Sequence, residues 1–387
     1  MQKAPNPRWD ADAASICIGD IASHLTHAPA GVIKKSKEMT TLKTIAAIVT
    51  TAAIAAPVAA QAQTSSQTLY GLIDITVRHA NNVGANGASL NSMGDGLFTG
   101  SRLGFRGTED LGGGLRALYT LEMGIDPSSG IPQQSTATGN YGQAASASGR
   151  AFGRESWVGV GSSALGTLTL GRQYTLAHQA AGRFQPQSNP NLDAITVFAN
   201  HHIARQDNMV KYVKELGPVS LAGSVTLSEA LGRGSALSAT YTSGFIDAVV
   251  YGQNMSAATG GETRKIRGAG LAYQFAPVLK GFAGYMTRSH EISAQRNKVA
   301  LIGANYNITP TLVLSAAYSE DRQNRFGTTA SGKRQTSWLA ADYFLSKRTD
   351  LYAEVDHNKL SGGYVLPAFM GSRGSQTGVT VGLRHRF

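Results

Sequence analysis

The feature that most constrains this chain is an alternation of apolar and polar side chains that recurs from residue 63 to residue 387. In the last segment, "GVTVGLRHRF", Val381 and Leu383 occupy one set of alternate positions, and Arg384 and Arg386 occupy the other. A period of two residues is that of a β-strand, so each segment predicts a strand with one apolar and one polar face. Helical spacing is not sustained over a comparable length. The alternation therefore predicts an all-β fold.

The connectors between these segments alternate between short turns, such as "DLGGG" and "NITP", and long loops of up to about thirty residues. The sixteen predicted strands cover about residues 68–79, 100–109, 114–126, 151–162, 166–174, 205–215, 218–228, 234–243, 244–254, 265–275, 279–290, 297–306, 311–322, 335–345, 349–359 and 376–387. An even strand number, with short turns at one rim and long loops at the other, is typical of a transmembrane β-barrel.

The composition supports a membrane barrel over a soluble β-sandwich. Charged residues make up 15% of the chain, against roughly 25% in ordinary soluble domains. The body of the chain contains no apolar run long enough for a spanning helix. Inside a bilayer every backbone polar group needs an internal partner, which a closed sheet provides and an open sheet does not. We therefore expect a 16-stranded antiparallel transmembrane β-barrel.

The first 62 residues are expected to contribute nothing to the barrel. Residues 39–62 combine Lys43, a short apolar core and the small residues Ala60 and Ala62, as a secretory signal peptide does. Cleavage is expected after Ala62 or, as a second candidate, after Ala60, and a membrane anchor is the alternative interpretation. Residues 1–38 are expected to be a spurious or disordered extension. Cys17, the single cysteine, lies there, so no disulfide is expected in the exported chain.

Several motifs resemble a known family. They are "TLYGLID" (68–74), "SRLGFRGTEDLGGGLRALYTLE" (101–122), "GRESWVGVGSSALGTLTLGRQY" (153–174) and the terminal Phe387. Together they resemble the trimeric general porins of Gram-negative outer membranes over essentially the whole of residues 63–387. The resemblance implies a homotrimer in outer-membrane lipid, with the third long loop folded into the pore. It also implies that Phe387 is an assembly signal, through which the C-terminal strand meets the barrel assembly machinery.

Arginines mark one wall of the predicted lumen. Arg102 and Arg106 alternate with Leu103 and Phe105, so they are expected to face water inside the barrel. The same alternation places Arg205 inside, together with Asp207, Met209 and Lys211. The resemblance implies a ladder of basic residues opposite the third loop, at Arg102, Arg172 and Arg205, with Arg106 two residues further on.

Simple alternation puts Arg172 on the same face of its strand as Leu168 and Leu170, which conflicts with a position in the lumen. A β-bulge, or burial of those leucines at a subunit contact, would reconcile the two expectations. The alternative for all four arginines is that they are solvated wall residues, or that they pair locally with Glu109, Glu122 and Glu155.

The predicted third loop, 175–204, has Asp193 as its single acid, together with Arg183 and three histidines. A constriction rich in arginine and poor in carboxylates has a positive potential, which favours anions. We expect a water-filled channel for passive diffusion of small anions and polar solutes. The alternative is a substrate-specific channel for a phosphate-like anion or organic acid, with a saturable site at the arginine ladder.

Other functional classes are disfavoured. The motifs Gly-x-Ser-x-Gly, His-Glu-x-x-His and Cys-x-x-Cys are missing from the sequence, so we expect neither an enzyme nor a cofactor. An outer-membrane barrel enzyme stays as a minor alternative. His178, His201 and His202 suggest a metal site only weakly, and we expect no metal. The net charge of +11 does not predict nucleic-acid binding, because the basic residues are scattered along an exported chain.

Overall fold

Antiparallel β-strands make up most of the computed structural model, which describes residues 65–84, 86–227, 232–257, 261–326 and 330–387. The predicted signal peptide and upstream extension lie outside these residues. No helix within the described ranges has the length and apolar character needed to cross a bilayer. The strands are β1 (Ser65–Val83), β2 (Ala88–Asp95), β3 (Arg102–Gly112), β4 (Leu115–Ile125), β5 (Pro132–Gln133), β6 (Glu155–Ser162), β7 (Gly166–Tyr174), β8 (Arg205–Leu216), β9 (Val219–Thr226), β10 (Arg233–Ser243), β11 (Ile246–Ser256), β12 (Thr263–Ala276), β13 (Leu279–His290), β14 (Arg296–Thr309), β15 (Leu312–Phe326), β16 (Ala330–Phe344), β17 (Thr349–Gly362) and β18 (Ser375–Arg386).

Sixteen of these strands form a closed antiparallel ring, as the sequence predicted. The ring runs from β1 through β3, β4 and β6, continues in chain order to β18, and returns to β1. At the seam Leu72 pairs with Arg386, and Ala80 pairs with Gly378. The backbone N–H of Gly71 also donates to the carbonyl of Phe387 at 3.0 Å, and the reverse bond measures 3.1 Å. The first and last strands therefore leave no free edge along this seam.

Two strands were not predicted. β2 lies within the loop predicted at 80–99 and pairs with the upper half of β1, whereas β3 pairs with the lower half of the same edge. β5 pairs with the end of β4 over two residues. The prediction treated 80–99 as a loop because its polar residues show no apolar alternation. Backbone pairing with the long strand β1 stabilises β2 without an apolar face.

The short turns lie where the sequence placed them, and the "DLGGG" turn shows why glycine is needed. Gly112, Gly113 and Gly114 have φ angles of 82°, 61° and 77°, in the left-handed region that residues with a Cβ rarely adopt. Three consecutive residues of this kind reverse the chain between β3 and β4.

The two faces of the wall differ as the alternation predicted. On β18, Val381 is 52% exposed, whereas the neighbouring Thr380 is 1% exposed. Arg384, on the inner face, donates to Asp342 of β16 at 2.9 Å and lies 2.8 Å from Asp350 of the neighbouring strand β17. The exposed apolar side chains form the outer surface that a bilayer would cover.

An apolar cluster lies against the inner face of β11 to β17. Its members from the segment 175–204 include the short helix α1 (Leu176–Ala181), Phe184 and Phe198. The rings of Phe184 and Phe198 pack edge to face, with centroids 5.1 Å apart. Leu97 and Phe98 join the cluster from the connection between β2 and β3. This cluster holds the segment 175–204 to one side of the barrel.

Glycines on the inner face provide the space for this packing. Gly270 and Gly284 face each other across the β12–β13 pair, and the ring of Phe184 lies over both. A Cβ at Gly270 would overlap the Cβ, Cγ and Cδ1 atoms of Phe184. Those atoms are near the base of the side chain, so they cannot move away without moving the segment.

We predict that Gly270→Ala displaces Phe184 and destabilises the packing of 175–204 by about 1–3 kcal/mol, because the added methyl group overfills a packed site. Limited trypsin digestion, which would cut after Arg183, should then be faster than in the parent protein. Gly244→Ala is the control, since a Cβ at Gly244 meets no atom within 4 Å. Equal digestion rates for the two variants would contradict the prediction.

Candidate functional site

A polar cavity of about 500 Å³ lies between the segment 175–204 and the wall formed by β3, β6, β7 and β8. Arg102, Arg154 and Arg205 line it from the wall. Segment 175–204 lines the cavity with neutral polar groups, including Gln179 and Asn191, and with the acidic residue Asp193. Because the apolar cluster holds the segment against β11 to β17, the arginines and the segment face each other across open space.

Arg205 is held by Tyr174 at the rim where β7 ends and β8 begins. The two residues are cross-strand partners. The guanidinium of Arg205 lies 4.2 Å from the centroid of the Tyr174 ring, and its Nη2 donates to the phenolic oxygen. Stacking on an aromatic face orients a guanidinium without neutralising it. Arg205 therefore retains its positive charge at the cavity.

Arg154 and Arg102 share a single carboxylate. The Nε of Arg154 donates to Glu122 Oε1 at 2.6 Å, and its Nη2 donates to the Tyr174 hydroxyl at 2.8 Å. Arg102 Nη1 lies 3.9 Å from the same Glu122 oxygen, and its Nε donates to the carbonyl of Gly100. The local pairing considered from the sequence is therefore present at Glu122. Glu122 carries one negative charge and lies beside two guanidinium groups, so the three side chains together keep a net positive charge.

Sequence reasoning missed Arg154. It lies within the strand predicted at 151–162, but β6 begins only at Glu155. Alternation counted from the exposed Val158 and Val160 would have put Arg154 on the outer face. The signal that could have found it is its place beside Glu155 in the family-like motif "GRESW", after the longest stretch of loop between β4 and β6.

Arg172 and its partners do not line the cavity. The β7–β8 pairing shifts between Gly171 and Gln173, so the strand carries the irregularity that the sequence conflict required. This irregularity directs Arg172 to Asp207, at 2.8 Å, and to the carbonyl of Gly153. Arg172 is buried there and does not line the cavity.

Asp207, expected on the inner face, lies in the same irregular stretch of the β7–β8 pair. The register shift on β8 lies between Gln206 and Met209, and Asn208 between them has a φ of 55°. Simple alternation fails across such a bulge. Asp207 instead pairs with Arg150, at 3.3 Å, in the connection before β6.

The remaining predicted residues are spread along the lumen. Arg106 shares the inner face with Arg102 but lies over the ring of Tyr70, 5.0 Å from its centroid, and does not line the cavity. Arg183 pairs with Asp247 on β11 at 2.8 Å, on the far side of the segment. The structure thus brings Arg102, Arg205 and Asp193 together and places Arg106, Arg172 and Arg183 elsewhere.

The histidines of the segment are held by separate partners: His201 and His202 are buried, whereas His178 is partly buried and lines the cavity. His178 stacks on Tyr174, with ring centroids 5.1 Å apart. Burial, with Arg205 and Arg154 nearby, lowers the pKa of His178 to about 3. His201 Nε2 lies 2.8 Å from Asp321, and His202 Nε2 lies 3.0 Å from the sulfur of Met286. Burial also lowers the pKa of both of these side chains.

The negative charge of Asp193 offsets only part of the positive charge of the three arginines. Burial raises the pKa of Asp193, and Arg334 opposes that shift. With His178 neutral, the charged groups that line the cavity are Arg102, Arg154, Arg205 and Asp193. The cavity therefore has a positive wall that faces a nearly neutral segment.

Comparison with known proteins gives a consistent result. A sequence profile described as Gram-negative porin matches residues 49–363. An outer membrane porin protein of Bordetella pertussis is 28% identical over 397 aligned positions, covering 85% of this chain and 96% of the relative. Outer membrane porin protein 32 of Delftia acidovorans is 27% identical, covering 88% and 99%. The solved structure of an anion-selective porin from Comamonas acidovorans superposes with a TM-score of 0.71 at 26% identity, covering 84% and 100%.

We predict that the charge at the cavity does not depend on His178 between pH 8 and pH 5. A histidine with a pKa of about 3 stays neutral throughout this range, so it adds no positive charge as the pH falls. His178→Gln should therefore show the same pH dependence of ion selectivity as the parent protein. Reversal potentials in a salt gradient measure this. A rise in anion preference near pH 6 in the parent alone would contradict the prediction.

Proposed function

The chain belongs to the Gram-negative porin family, and on this basis we propose that it forms a water-filled outer-membrane channel for passive diffusion of small hydrophilic solutes and ions, with a preference for anions. The apolar outer face contacts the lipid. The polar inner face and the space beside the segment 175–204 form the path. We propose that this segment narrows the channel, so that size exclusion acts there.

The observation that carries the anion preference is the grouping of Arg102, Arg154 and Arg205 along one wall, with Asp193 as the acid that lines the same cavity. A unit charge about 6 Å from an ion contributes about 0.7 kcal/mol in water, and more where the low-dielectric wall confines the field. Three arginines on one wall therefore raise the local concentration of anions and reduce that of cations.

The field has a direction as well as a sign. Arg102 lies on β3, Arg154 directly before β6 and Arg205 at the start of β8. The opposite side carries amides such as Gln179 and Asn191. A polar solute that crosses this space is turned so that its negative end faces the arginines. The anion-selective porin of Comamonas acidovorans, which is 26% identical, supports the same preference.

We predict that Arg102→Ser combined with Arg205→Ser lowers the anion-to-cation permeability ratio at least tenfold. Without screening by salt, each charge removed lowers the local anion concentration about threefold and raises that of cations about threefold. Both residues line the cavity, and Arg205 is held by a tyrosine rather than by a carboxylate, so its loss leaves no buried acid unpaired. Zero-current potentials of the reconstituted channel in a KCl gradient measure the ratio.

Arg106→Ser is the matched control, since it removes a lumen arginine of the same strand that does not line the cavity. Arg106→Ser should change the permeability ratio clearly less than Arg102→Ser or Arg205→Ser does, each made as a single substitution. Equal effects of the three substitutions would show that general lumen charge, and not this wall, sets the selectivity. A cation preference of the parent protein at neutral pH would contradict the proposal itself.

We also propose that three copies of the chain associate in the membrane, as the family resemblance implies. The C-terminal strand, which closes the ring at Gly71 and Phe387, is the proposed contact with the barrel assembly machinery. Light scattering of the purified protein, corrected for detergent, is expected to give three times the mass of one chain. A mass of one chain under non-denaturing conditions would contradict the trimer.

A further inference from the structure

A second polar cavity, of about 290 Å³, lies on the other side of the segment 175–204. Three parts of the chain enclose it: Asn200 and His201 of the segment, the inner wall of β13 to β16, and the connection between β17 and β18. The arginines of the first cavity do not line it. Asp193 lines both cavities.

The wall of this cavity contains polar donors that lack partners. Arg288 of β13 is 8% exposed, and its Nε–H has no hydrogen-bond partner in the part of the chain that the structure describes. Gln323 of β15 is 3% exposed, and its side-chain amide nitrogen likewise lacks a partner there. A buried donor without an acceptor costs about 1–3 kcal/mol, so these two groups favour a ligand that accepts hydrogen bonds.

The nearest wall carboxylate is already engaged. Asp321 accepts from His201 Nε2 at 2.8 Å, from the Tyr364 hydroxyl at 2.6 Å and from Asn297 Nδ2 at 2.9 Å. These three donors bind Asp321, and no hydrogen bond or ion pair joins it to Arg288 among the described residues. The guanidinium of Arg288 is therefore left for an acceptor that comes from outside the chain.

A second arginine lies in the same cavity. Arg334 donates from Nε to Asn358 Oδ1 at 3.0 Å and from Nη2 to the carbonyl oxygens of Asp193 and Ala194, each at 2.9 Å. These acceptors are uncharged, so the positive charge of Arg334 persists. Because Asp193 and Asp321 are also near, the net charge is small, and a monoanion fits better than a divalent anion such as phosphate.

The opposite side of the cavity is apolar. Val365, Pro367, Ala368 and Phe369, from the connection between β17 and β18, line it. The ring of Phe369 lies 4.9 Å from the guanidinium carbon of Arg334. A ligand here meets donors at one end and hydrocarbon at the other.

The geometry points to a second binding site, distinct from the arginine wall of the channel, for a small organic monocarboxylate with an apolar body. Its carboxylate contacts Arg288 and Gln323, and its hydrocarbon part packs against Pro367 and Phe369. A guanidinium fork matches the two oxygens of a carboxylate, which a spherical ion such as chloride cannot do.

Benzoate is the probe for this site. Isothermal titration calorimetry of the folded full-length protein in detergent is expected to show one saturable benzoate site per chain. Arg288→Gln keeps the aliphatic stem and an N–H donor near the position of Nε, but it removes the charge and the guanidinium fork, so it should weaken binding at least tenfold. Gln323→Glu puts a carboxylate beside the site and should abolish binding.

Arg322→Gln is the control, because Arg322 is exposed and pairs with Glu320 next to it in the strand. This variant should bind benzoate like the parent, and so should the variant with Arg102→Ser and Arg205→Ser. Circular dichroism of each variant establishes that the β-structure is intact. Unchanged affinity in Arg288→Gln, loss of binding in the Arg102 and Arg205 variant alone, or tighter binding of inorganic phosphate than of benzoate would each overturn the proposal. Channel conductance and ion selectivity are measured separately. A failure to bind benzoate would therefore contradict the second site without contradicting the proposed channel function.

Discussion

The structure depends on one constraint: a sheet whose outer face meets hydrocarbon cannot leave a strand edge unpaired. Each unsatisfied backbone group would cost several kcal/mol where no water is present. The pairing of β1 with β18 meets this constraint, with the additional bonds between Gly71 and Phe387 at the end of the seam. Closure fixes the inside and the outside of the molecule, and the position of each functional side chain follows from it.

Closure also creates an interior space. A path for solutes remains only if the loops inside the barrel pack against one side of it. The segment 175–204 packs its apolar residues against β11 to β17, where Gly270 and Gly284 make room for Phe184. The opposite wall keeps Arg102 and Arg205 beside the open space, with Arg154 buried against Glu122 and Tyr174. Packing on one side and solvation on the other give a passage with a charged wall, and no energy source or moving part is needed for diffusion through it.

Much of the fold and part of the site could be predicted from the sequence. Alternation predicted the strands and placed Arg102 and Arg205 on the inner face, where both line the cavity. It did not place Arg154 correctly, because the strand predicted at 151–162 begins only at Glu155, and it failed at Arg172, which lies at a bulge between β7 and β8. Inward glycines such as Gly270 and Gly284 were a readable sign of close approach by another segment, but nothing in the sequence says which segment approaches.

By itself, the sequence determined the period of two, the two faces of each strand, the number of strands in the ring and the positions of the tight turns. These properties are local, because a side chain's face depends on its neighbours one and two residues away. The tertiary structure alone decided that Glu122 lies beside two arginines, that Tyr174 holds Arg205, and that the buried Nε of Arg288 has no partner among the described residues while Asp321 binds His201. Those outcomes join residues tens to hundreds of positions apart, and only the closed ring and the packing of its loops bring such residues together.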